Sequence, residues 1–561
     1  MLKSLRVFVV LGVAFASVGL NVGASHATPD IGWSTFEDVA GLVAANTGEE
    51  ASIASVSCTT AGNCSAGGYY HVGEAQQAFV VSQVDGVWGS FEDVPGLVVA
   101  NTGEDASIYS VSCTSAGNCS AGGSYNDNLG FQAFVVSQVD GVWGSFENVP
   151  GLVAANYDGV AMLQSVSCSS AGNCSAGGSY KYEGTRQVFV VSQVDGAWQS
   201  FENVPDLPAA NVMGYSSLYS VSCTTAGNCS AGGFYLDGSS AQQAFVVSQV
   251  DGAWQSFENV PGLAAANTIG VAKISTLSCT SVGNCVAGGQ YTNSLGAQAF
   301  LVSQVNGVWQ AFEDVPGLPE GNVGGYSSLS LVSCASAGSC SAVGVYASVS
   351  DYRAFVVSRV DGVWRSFEEV SGLAAVNIGF ATLASVSCAS AGNCAAGGYY
   401  TSVATVSQAF LVLQVDGVWG TYEDVPGLTA ANTGGVAGVN SVSCGAAGDC
   451  SAGGSYKVGA AQQAFLTAIS APLTESTTTT TTTTEAPPTS ATISPSTAVL
   501  QNLPATGGNS SSTAVFSLML ILIGALVVGG LRRRIGRSAQ IFGFNCKGFE
   551  GSLRGQEIVV G

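Results

Sequence analysis

Short apolar runs alternate with polar turns along most of the chain, and this pattern predicts strands rather than helices. In one stretch we expect four strands, over residues 54–58, 64–70, 78–84 and 88–94, because each run lies between turn residues. The third run carries apolar residues on both faces, which predicts burial from both sides. Asp85-Gly86 predicts a tight hairpin between the third and fourth strands.

This pattern occurs eight times. Each copy contains two cysteines six residues apart, and the first cysteines of successive copies are 54 to 56 residues apart. The pairs are Cys58/Cys64, Cys113/Cys119, Cys168/Cys174, Cys223/Cys229, Cys279/Cys285, Cys334/Cys340, Cys388/Cys394 and Cys444/Cys450. Four antiparallel strands in a repeat of about 50 residues predict the blade of a β-propeller.

The phase of the repeat favours a closed ring. Residues 33–39 read as a fourth strand with no cysteine pair before it, and residues 463–466 read as a third strand with no fourth strand after it. We expect the first segment to complete the last blade, because closure removes the terminal edges that an open array must protect. The sequence therefore predicts an all-β fold, an eight-bladed β-propeller over residues 28–470, with a β-solenoid as the alternative.

The hairpin between the third and fourth strands, for example residues 137–143 (Ser-Gln-Val-Asp-Gly-Val-Trp), is similar to the Asp-box of sialidase-type propellers. It is one residue tighter than that motif and lacks the Thr before Trp. The resemblance implies a propeller fold and no activity, since the box is a structural turn in that family too.

The N-terminal segment has the layout of a secretory signal peptide. Lys3 and Arg6 precede a 14-residue apolar run over residues 7–20, and small residues follow up to Ala27. A membrane anchor is the alternative, but the run is short for a span. We expect export, with residues 1–27 as the signal peptide and cleavage after Ala24 or Ala27.

The C-terminal segment begins with a stalk. An unbroken threonine run, residues 477–484, and nearby prolines predict an extended chain over residues 471–502. Leu503, Pro504, Ala505, Thr506 and Gly507 come next, followed by an 18-residue apolar stretch at 514–531 and three arginines. In this order, residues 503–537 resemble the LPxTG sorting signal of Gram-positive surface proteins. The resemblance implies that a sortase cysteine attacks the Thr506 carbonyl and releases the chain from Gly507 onward. An amino group of a peptidoglycan precursor then takes the acyl group from the enzyme.

The apolar stretch is long enough for a transmembrane helix, about 27 Å, and the arginines indicate its cytoplasmic end. A single-span membrane protein with a chance motif is the alternative. Residues 538–561 depart from the family pattern, which ends soon after the basic cluster. We expect this tail to be cut away with the anchor and assign it no role.

The charge and composition exclude several functions. Residues 28–506 contain 35 acidic and 7 basic side chains, which excludes nucleic acid and anionic membrane surfaces as partners. The two histidines, His26 and His71, leave little scope for histidine catalysis or histidine metal sites. The arginines between signal and stalk, at 186, 353, 359 and 365, form no convergent set, and no clear break in the repeat marks a catalytic site. We therefore predict no enzyme, metal or cofactor.

The cysteine pairs have too few ligands for metal sites, and in an exported chain they predict eight structural disulfides that staple short inner hairpins. A glutamate also recurs in each fourth strand. These residues are Glu37, Glu92, Glu147, Glu202, Glu258, Glu313, Glu368 and Glu423. They would either surround a cation or, as we favour, place charge on exposed edge strands.

A tyrosine lies six residues after the second cysteine of every pair. The eight are Tyr70, Tyr125, Tyr180, Tyr235, Tyr291, Tyr346, Tyr400 and Tyr456. Such a ring would suit stacking on sugar rings or, as we favour, would pack between adjacent blades.

The loops differ between copies only in two places, after the second strand (126–130, 181–186, 347–353) and in the crossovers (156–164, 211–218). We expect both sets on one face and place a ligand there; neutral drift is the alternative. The overall interpretation is a monomeric, wall-anchored surface protein for adhesion or ligand binding, with a glycan or a protein as ligand. A structural wall component without a ligand and a sialidase-like hydrolase are the other hypotheses.

Overall fold

The computed structural model describes residues 32–402 and 406–469. Contacts divide the chain into two units, Met1–Thr477 and Thr478–Gly561, and the described residues all belong to the first. The predicted signal peptide, stalk, sorting motif, apolar stretch and tail lie outside the described residues. Within the described ranges, no helix has the length and apolar character needed to span a bilayer.

The described residues form eight antiparallel sheets, each a propeller blade with three long strands and a broken outer strand. The first strands are Ala51–Thr60, Ala106–Ser115, Met162–Ser170, Ser216–Thr225, Ala272–Ser281, Ser327–Ser336, Ala381–Ser390 and Ala437–Ala446. The second strands are Asn63–Val72, Asn118–Asn126, Asn173–Tyr182, Asn228–Leu236, Asn284–Asn293, Ser339–Ala347, Asn393–Thr401 and Asp449–Val458. The third strands are Ala75–Val84, Phe131–Val139, Thr185–Val194, Gln242–Val250, Gly296–Val305, Tyr352–Val360, Ser407–Val415 and Ala461–Ile469. We number the blades 1 to 8 in this order.

The outer strand is split in two, whereas the sequence predicted one strand over 88–94. Its first pieces are Val87–Trp88, Val142–Trp143, Ala197–Trp198, Ala253–Trp254, Val308–Trp309, Val363–Trp364 and Val418–Trp419. Its second pieces are Glu37–Asp38, Glu92–Asp93, Glu147–Asn148, Glu202–Asn203, Glu258–Asn259, Glu313–Asp314, Glu368–Glu369 and Glu423–Asp424. The strand breaks at Phe91, because the ring of this residue packs edge-on against Tyr70. The backbone N–H of Phe91 donates to the Ala40 carbonyl of the preceding connection at 3.2 Å instead of to the ladder.

A one-turn helix, which the sequence did not predict, follows each outer strand. These helices are Leu42–Ala45, Leu97–Ala100, Leu152–Ala155, Leu207–Ala210, Leu263–Ala266, Leu318–Gly321 and Leu428–Ala431, with a 3₁₀ turn at Leu373–Ala375. Each begins with a buried leucine, such as Leu97, after a left-handed residue such as Gly96 (φ 82°). The leucine therefore anchors the start of every crossover in the core.

The ring is closed by the N-terminal segment, as predicted. Glu37–Asp38 pairs with the third strand of blade 8, with Glu37 opposite Leu466, and Trp33 bridges Ile469. The N–H of Ser34 also donates to the carbonyl of Ala468 at 2.8 Å. Blade 8 is thus built from both ends of the described chain, and the open β-solenoid alternative is wrong.

The core lies between the blades. Phe79 and Val81 of one third strand pack into one interblade cluster, while Ala78 and Val80 of the same strand pack into the next. The predicted burial of this strand from both sides is confirmed. Phe79 and its equivalent in each of the other blades are fully buried, and each contributes about 2–3 kcal/mol by removal of apolar area from water. The stabilisation is therefore distributed over all eight junctions between blades.

Serines join the first strands around the central axis. The N–H of Cys113 in blade 2 donates to Oγ of Ser57 in blade 1 at 2.9 Å, and the equivalent bond recurs at every junction, including blade 8 to blade 1. The acceptors are Ser57, Ser112, Ser167, Ser222, Ser278, Ser333, Ser387 and Ser443. Inner-edge amides that no strand pairs with are satisfied in this way.

Candidate ligand-binding face

The two variable loop sets lie together on one face, as expected. The N–H of Phe131, after the second strand of blade 2, donates to the carbonyl of Gly159 in the next crossover at 2.8 Å. The N–H of Arg186 donates to Gly214 in the same manner, also at 2.8 Å. We call this surface the loop face; it consists of the loops after the second strands and the crossovers that contact them.

An asparagine that the sequence analysis missed holds these loops in place. Asn156 is buried and its side-chain amide donates to the Phe131 carbonyl at 2.8 Å. The same bond occurs at all eight junctions. The asparagines are Asn46, Asn101, Asn156, Asn211, Asn267, Asn322, Asn377 and Asn432. Their exact recurrence was the available signal, and it gives the loop face a rigid base.

The opposite surface, which we call the turn face, is formed by the turns after the first and third strands. The N–H of Gly86 donates to Gly62 at 2.9 Å, which joins the two turns of one blade. Asp85 and Gly86 both have positive φ (48° and 85°), the geometry of the predicted Asp-Gly hairpin. Similar turns recur in blades 2 to 7.

All eight predicted disulfides are present, beside the turn face, with the predicted pairing. Cys58 and Cys64 lie directly opposite each other in the ladder, and their Cα atoms are 4.0 Å apart. This short separation is consistent with a directly facing cross-strand pair.

The second cysteine of each pair is buried, which the sequence analysis did not predict. The exposed fraction is 2% at Cys340, 4% at Cys450 and 5% at Cys394. Cys340 packs in a cluster with Val286 of the preceding blade, Cys450 packs with Ala395, and Cys394 lies in the cluster between blades 6 and 7. The other five, Cys64, Cys119, Cys174, Cys229 and Cys285, are 5–6% exposed. The prediction treated these cysteines as staples of the inner hairpins alone. They are also core residues, because neighbouring blades cover them, and they present no surface to a ligand.

The turn face has clefts between neighbouring blades, lined by a repeated polar network. Between blades 1 and 2, Nε2 of Gln138 donates to Oγ of Ser82 at 2.9 Å, and Oγ of Ser65 donates to Oε1 of Gln138 at 3.3 Å. Clefts of 250, 350, 280 and 140 Å³ lie at four equivalent junctions. The network connects blades through side chains that the repeat preserves.

The network departs most strongly from the repeat at two junctions, between blades 5 and 6 and between blades 7 and 8. In blade 6, Arg359 replaces the glutamine, lies over Trp364 at 5.9 Å and leaves Oγ of Ser303 without a partner. At the junction of blades 7 and 8, Ala395 and Ile469 replace polar residues and pack with Trp33. The second change replaces the polar network by apolar packing at the junction of blades 7 and 8.

The recurring tyrosines are buried, with only 3–5% of their surface exposed. The Tyr70 ring packs edge-on against Phe79 and Phe91, and its hydroxyl donates to Asp93 at 2.7 Å. Equivalent bonds reach an Asp, Asn or Glu in every blade. Stacking of the tyrosine ring on a ligand is therefore ruled out by burial, and the packing alternative is correct.

Burial raises the pKa of all eight of these tyrosines. In Tyr70 the hydrogen bond to the Asp93 carboxylate raises the pKa further. The recurring glutamates, by contrast, all lie on exposed outer strands at the rim, one per blade. Within residues 32–402 and 406–469, no three His, Cys, Asp or Glu side chains converge to hold a metal ion.

A continuous row of aromatic rings with a cation at each end crosses the loop face from blade 3 to blade 5. We call it the cationic aromatic row; its members, in order, are Arg186, Tyr215, Phe234, Tyr219 and Lys273. The Arg186 guanidinium lies 5.6 Å from the Tyr215 ring, which is 5.7 Å from Phe234. Phe234 is 5.9 Å from Tyr219, over which the Lys273 ammonium lies at 5.6 Å.

The backbone explains why this row reaches the surface. Tyr219 stands at a bulge of the first strand, where the register shifts between Leu218 and Ser220 and one residue is left out of the ladder. Tyr215 lies in the crossover that pairs with Arg186. Tyr215 is 45% and Tyr219 37% exposed, so both rings are accessible on the loop face.

A second row, which carries no cation, crosses blades 6 and 7. We call it the neutral aromatic row; it consists of Tyr326, Tyr352, Phe380 and Tyr399, with ring centroids 5.3–5.9 Å apart. The nearby Arg353 is paired with Asp351 and Glu369. The two rows thus offer similar rings with different charge.

No protein family and no curated protein sequence matches this chain. Among solved structures, it is similar to Sqt1 from Chaetomium thermophilum, at 11% identity and a TM-score of 0.43, covering 76% of this chain and 99% of that one. It is also similar to the GH74 xyloglucanase from Xanthomonas campestris (11%, TM-score 0.39, covering 69% and 54%) and to a Hadza microbial sialidase (9%, TM-score 0.34, covering 71% and 74%). The chain spans about half the length of the xyloglucanase.

Proposed function

We propose that this protein is an exported, wall-anchored propeller that binds an extracellular ligand through its loop face and catalyses no reaction. The cationic aromatic row carries the proposal, because its two exposed rings, Tyr215 and Tyr219, and its two partly exposed cations provide stacking and charge for recognition. The rigid ring beneath it favours binding by reducing the entropy lost on complex formation. The eight disulfides support an extracellular location.

Binding is tested with the propeller, residues 28–477, on a glycan array and on isolated cell walls. This fragment is a fair test because its closed ring has its own core. Tyr215→Ala is expected to weaken binding about tenfold, and Tyr157→Ala, an exposed tyrosine outside the row, to leave it unchanged. Absence of binding to every glycan and wall preparation would favour the structural wall component instead.

Anchoring is proposed from the sorting motif alone. Thr506→Ala removes the residue whose carbonyl the sortase would attack, so the protein is expected to leave the fraction that muramidase releases from the wall. Retention of the variant in that fraction would contradict sortase anchoring.

A further inference from the structure

The two cations of the cationic aromatic row constrain the chemistry of its ligand. Residues 28–506 hold five acidic side chains for every basic one, 35 against 7. Even so, within residues 32–402 and 406–469 no carboxylate oxygen lies within 4.0 Å of the Arg186 or Lys273 nitrogens. Arg353, in contrast, is paired with two carboxylates of its own blade. Both ends of the row are therefore positive without an internal counter-ion.

We infer that the row binds an acidic polysaccharide, whose sugar rings stack on Tyr215 and Tyr219 and whose carboxylates pair with Arg186 and Lys273. The inference rests on the proposed role of the loop face in binding and adds the class of ligand.

Arg186 is oriented for this role. Its Nε donates to Oγ of Ser179 at 2.8 Å, which fixes the plane of the guanidinium over Tyr215 and leaves its terminal amino groups available for a carboxylate. A guanidinium pairs with a carboxylate through two parallel hydrogen bonds, which adds direction as well as energy.

Lys273 is only partly exposed at the other end of the row. Burial lowers the pKa of its ammonium group, because desolvation disfavours the charged form and no neighbouring carboxylate compensates. A ligand carboxylate beside Lys273 would supply the missing opposite charge. Both ends of the row therefore gain from the same ligand group.

The rings between the cations select a sugar over a plain polyanion. Aromatic faces stack on the apolar face of a pyranose ring, which an acidic polypeptide lacks. A neutral glycan would stack on the rings and leave both cations unpaired. An acidic polysaccharide satisfies both parts of the row.

The test compares three polymers, polygalacturonate, dextran and polyglutamate, by titration calorimetry with the propeller at about 0.15 M salt, where charges more than about 8 Å away are largely screened and the acidic surface repels a polyanion less than at low salt. Polygalacturonate is expected to bind at least about tenfold more tightly than either dextran, which lacks charge, or polyglutamate, which lacks sugar rings. Equal binding of polyglutamate, or tighter binding of dextran, would overturn the inference.

The matched variants change charge without changing fold. Arg186→Gln combined with Lys273→Gln is expected to reduce polygalacturonate affinity at least about tenfold. The control double variant combines Lys457→Gln, which removes a loop-face lysine in blade 8, with Arg365→Gln. It makes the same change in net charge, and we expect little effect on polygalacturonate affinity. Equal loss in both double variants would show a response to net charge alone and contradict the site.

The failures of the two proposals are distinguishable. If the array detects a neutral glycan that needs Tyr215 while polygalacturonate does not bind, the loop-face function stands and the acidic ligand is wrong. If no polymer or array glycan binds, both proposals fail.

Discussion

The positions that recur in every blade and the positions that differ between blades occupy different parts of the propeller. The disulfides, the serine ring, the buried tyrosines and the turn-face network connect strands and blades, and they are nearly the same in each copy. The exposed members of the cationic aromatic row lie on the loop face and have no full equivalent in another blade. Stabilising contacts are therefore distributed around the whole ring, whereas we propose that recognition occurs in blades 3 to 5 alone.

The largest expected effect is a loss of stability at high pH through the recurring tyrosines. Burial raises their pKa in the folded state above the unfolded value of about 10, so the folded protein holds these protons more tightly. The stabilisation is complete below that pH and is lost as the pH rises above it, by up to about 1.4 kcal/mol per pH unit for each tyrosine. Urea unfolding between about pH 8 and pH 11 measures this.

Phenol absorbance should show the eight tyrosines ionising together with unfolding rather than before it. A free energy of unfolding that stays constant across this range would contradict this prediction.

The next largest effect concerns ring closure. Deleting residues 28–39 removes the burial of Trp33 and Val39 and exposes the third strand of blade 8 as an edge. We expect a loss of about 5 kcal/mol or more and a tendency to aggregate. Urea unfolding and gel filtration measure both, with Trp143→Ala as the comparison in an uninterrupted blade. A deletion variant no less stable than Trp143→Ala would contradict closure by this segment.

A smaller effect is expected for one disulfide. Replacing Cys113 and Cys119 by serine opens a short loop, and the chain-entropy relation gives a cost of about 2 kcal/mol. Because this pair lies beside the turn face, ligand affinity should not change. Thermal unfolding and a binding titration on the same sample check both statements. Reduced affinity would contradict our assignment of the ligand to the loop face.

The smallest stability effect is expected on the loop face. The Lys273→Gln variant should change the free energy of unfolding by less than about 0.5 kcal/mol, since the lysine makes no ion pair within the described residues. Its polygalacturonate affinity should nonetheless fall. Urea unfolding checks the first part, and a large destabilisation would mean that Lys273 has a structural role.

The sequence was sufficient for most of the fold, because the repeat made each strand signal appear eight times and its phase identified the closing segment. It failed at the outer strand, where Phe91 leaves the ladder to pack on Tyr70, and at the one-turn helices, which are too short for a helical period. The sequence predicted the pairing of the cysteines correctly. It did not predict that Cys340, Cys394 and Cys450 are buried, since their burial depends on the neighbouring blade. Tertiary packing, rather than local propensity, decides the break in the outer strand, the one-turn helices and the burial of the cysteines.

The candidate site was only partly accessible from sequence. Variation between copies identified the loop face, but the sequence offered only the recurrent tyrosines as possible ligand residues there, and these rings pack in the core, as the favoured interpretation had it. The cationic aromatic row joins residues 186 to 273 across three blades, so no local pattern could reveal it. Lys273 and Arg186 were visible only as two of the few basic residues in an acidic chain.

Hydrogen–deuterium exchange of the propeller, with and without polygalacturonate, tests most directly whether recognition and stability occupy opposite faces. The account predicts slower exchange in peptides that contain Tyr215, Tyr219 and Lys273, with no change at the turns beside the disulfides. Protection at the Asp-Gly turns, with none at the cationic aromatic row, would contradict it.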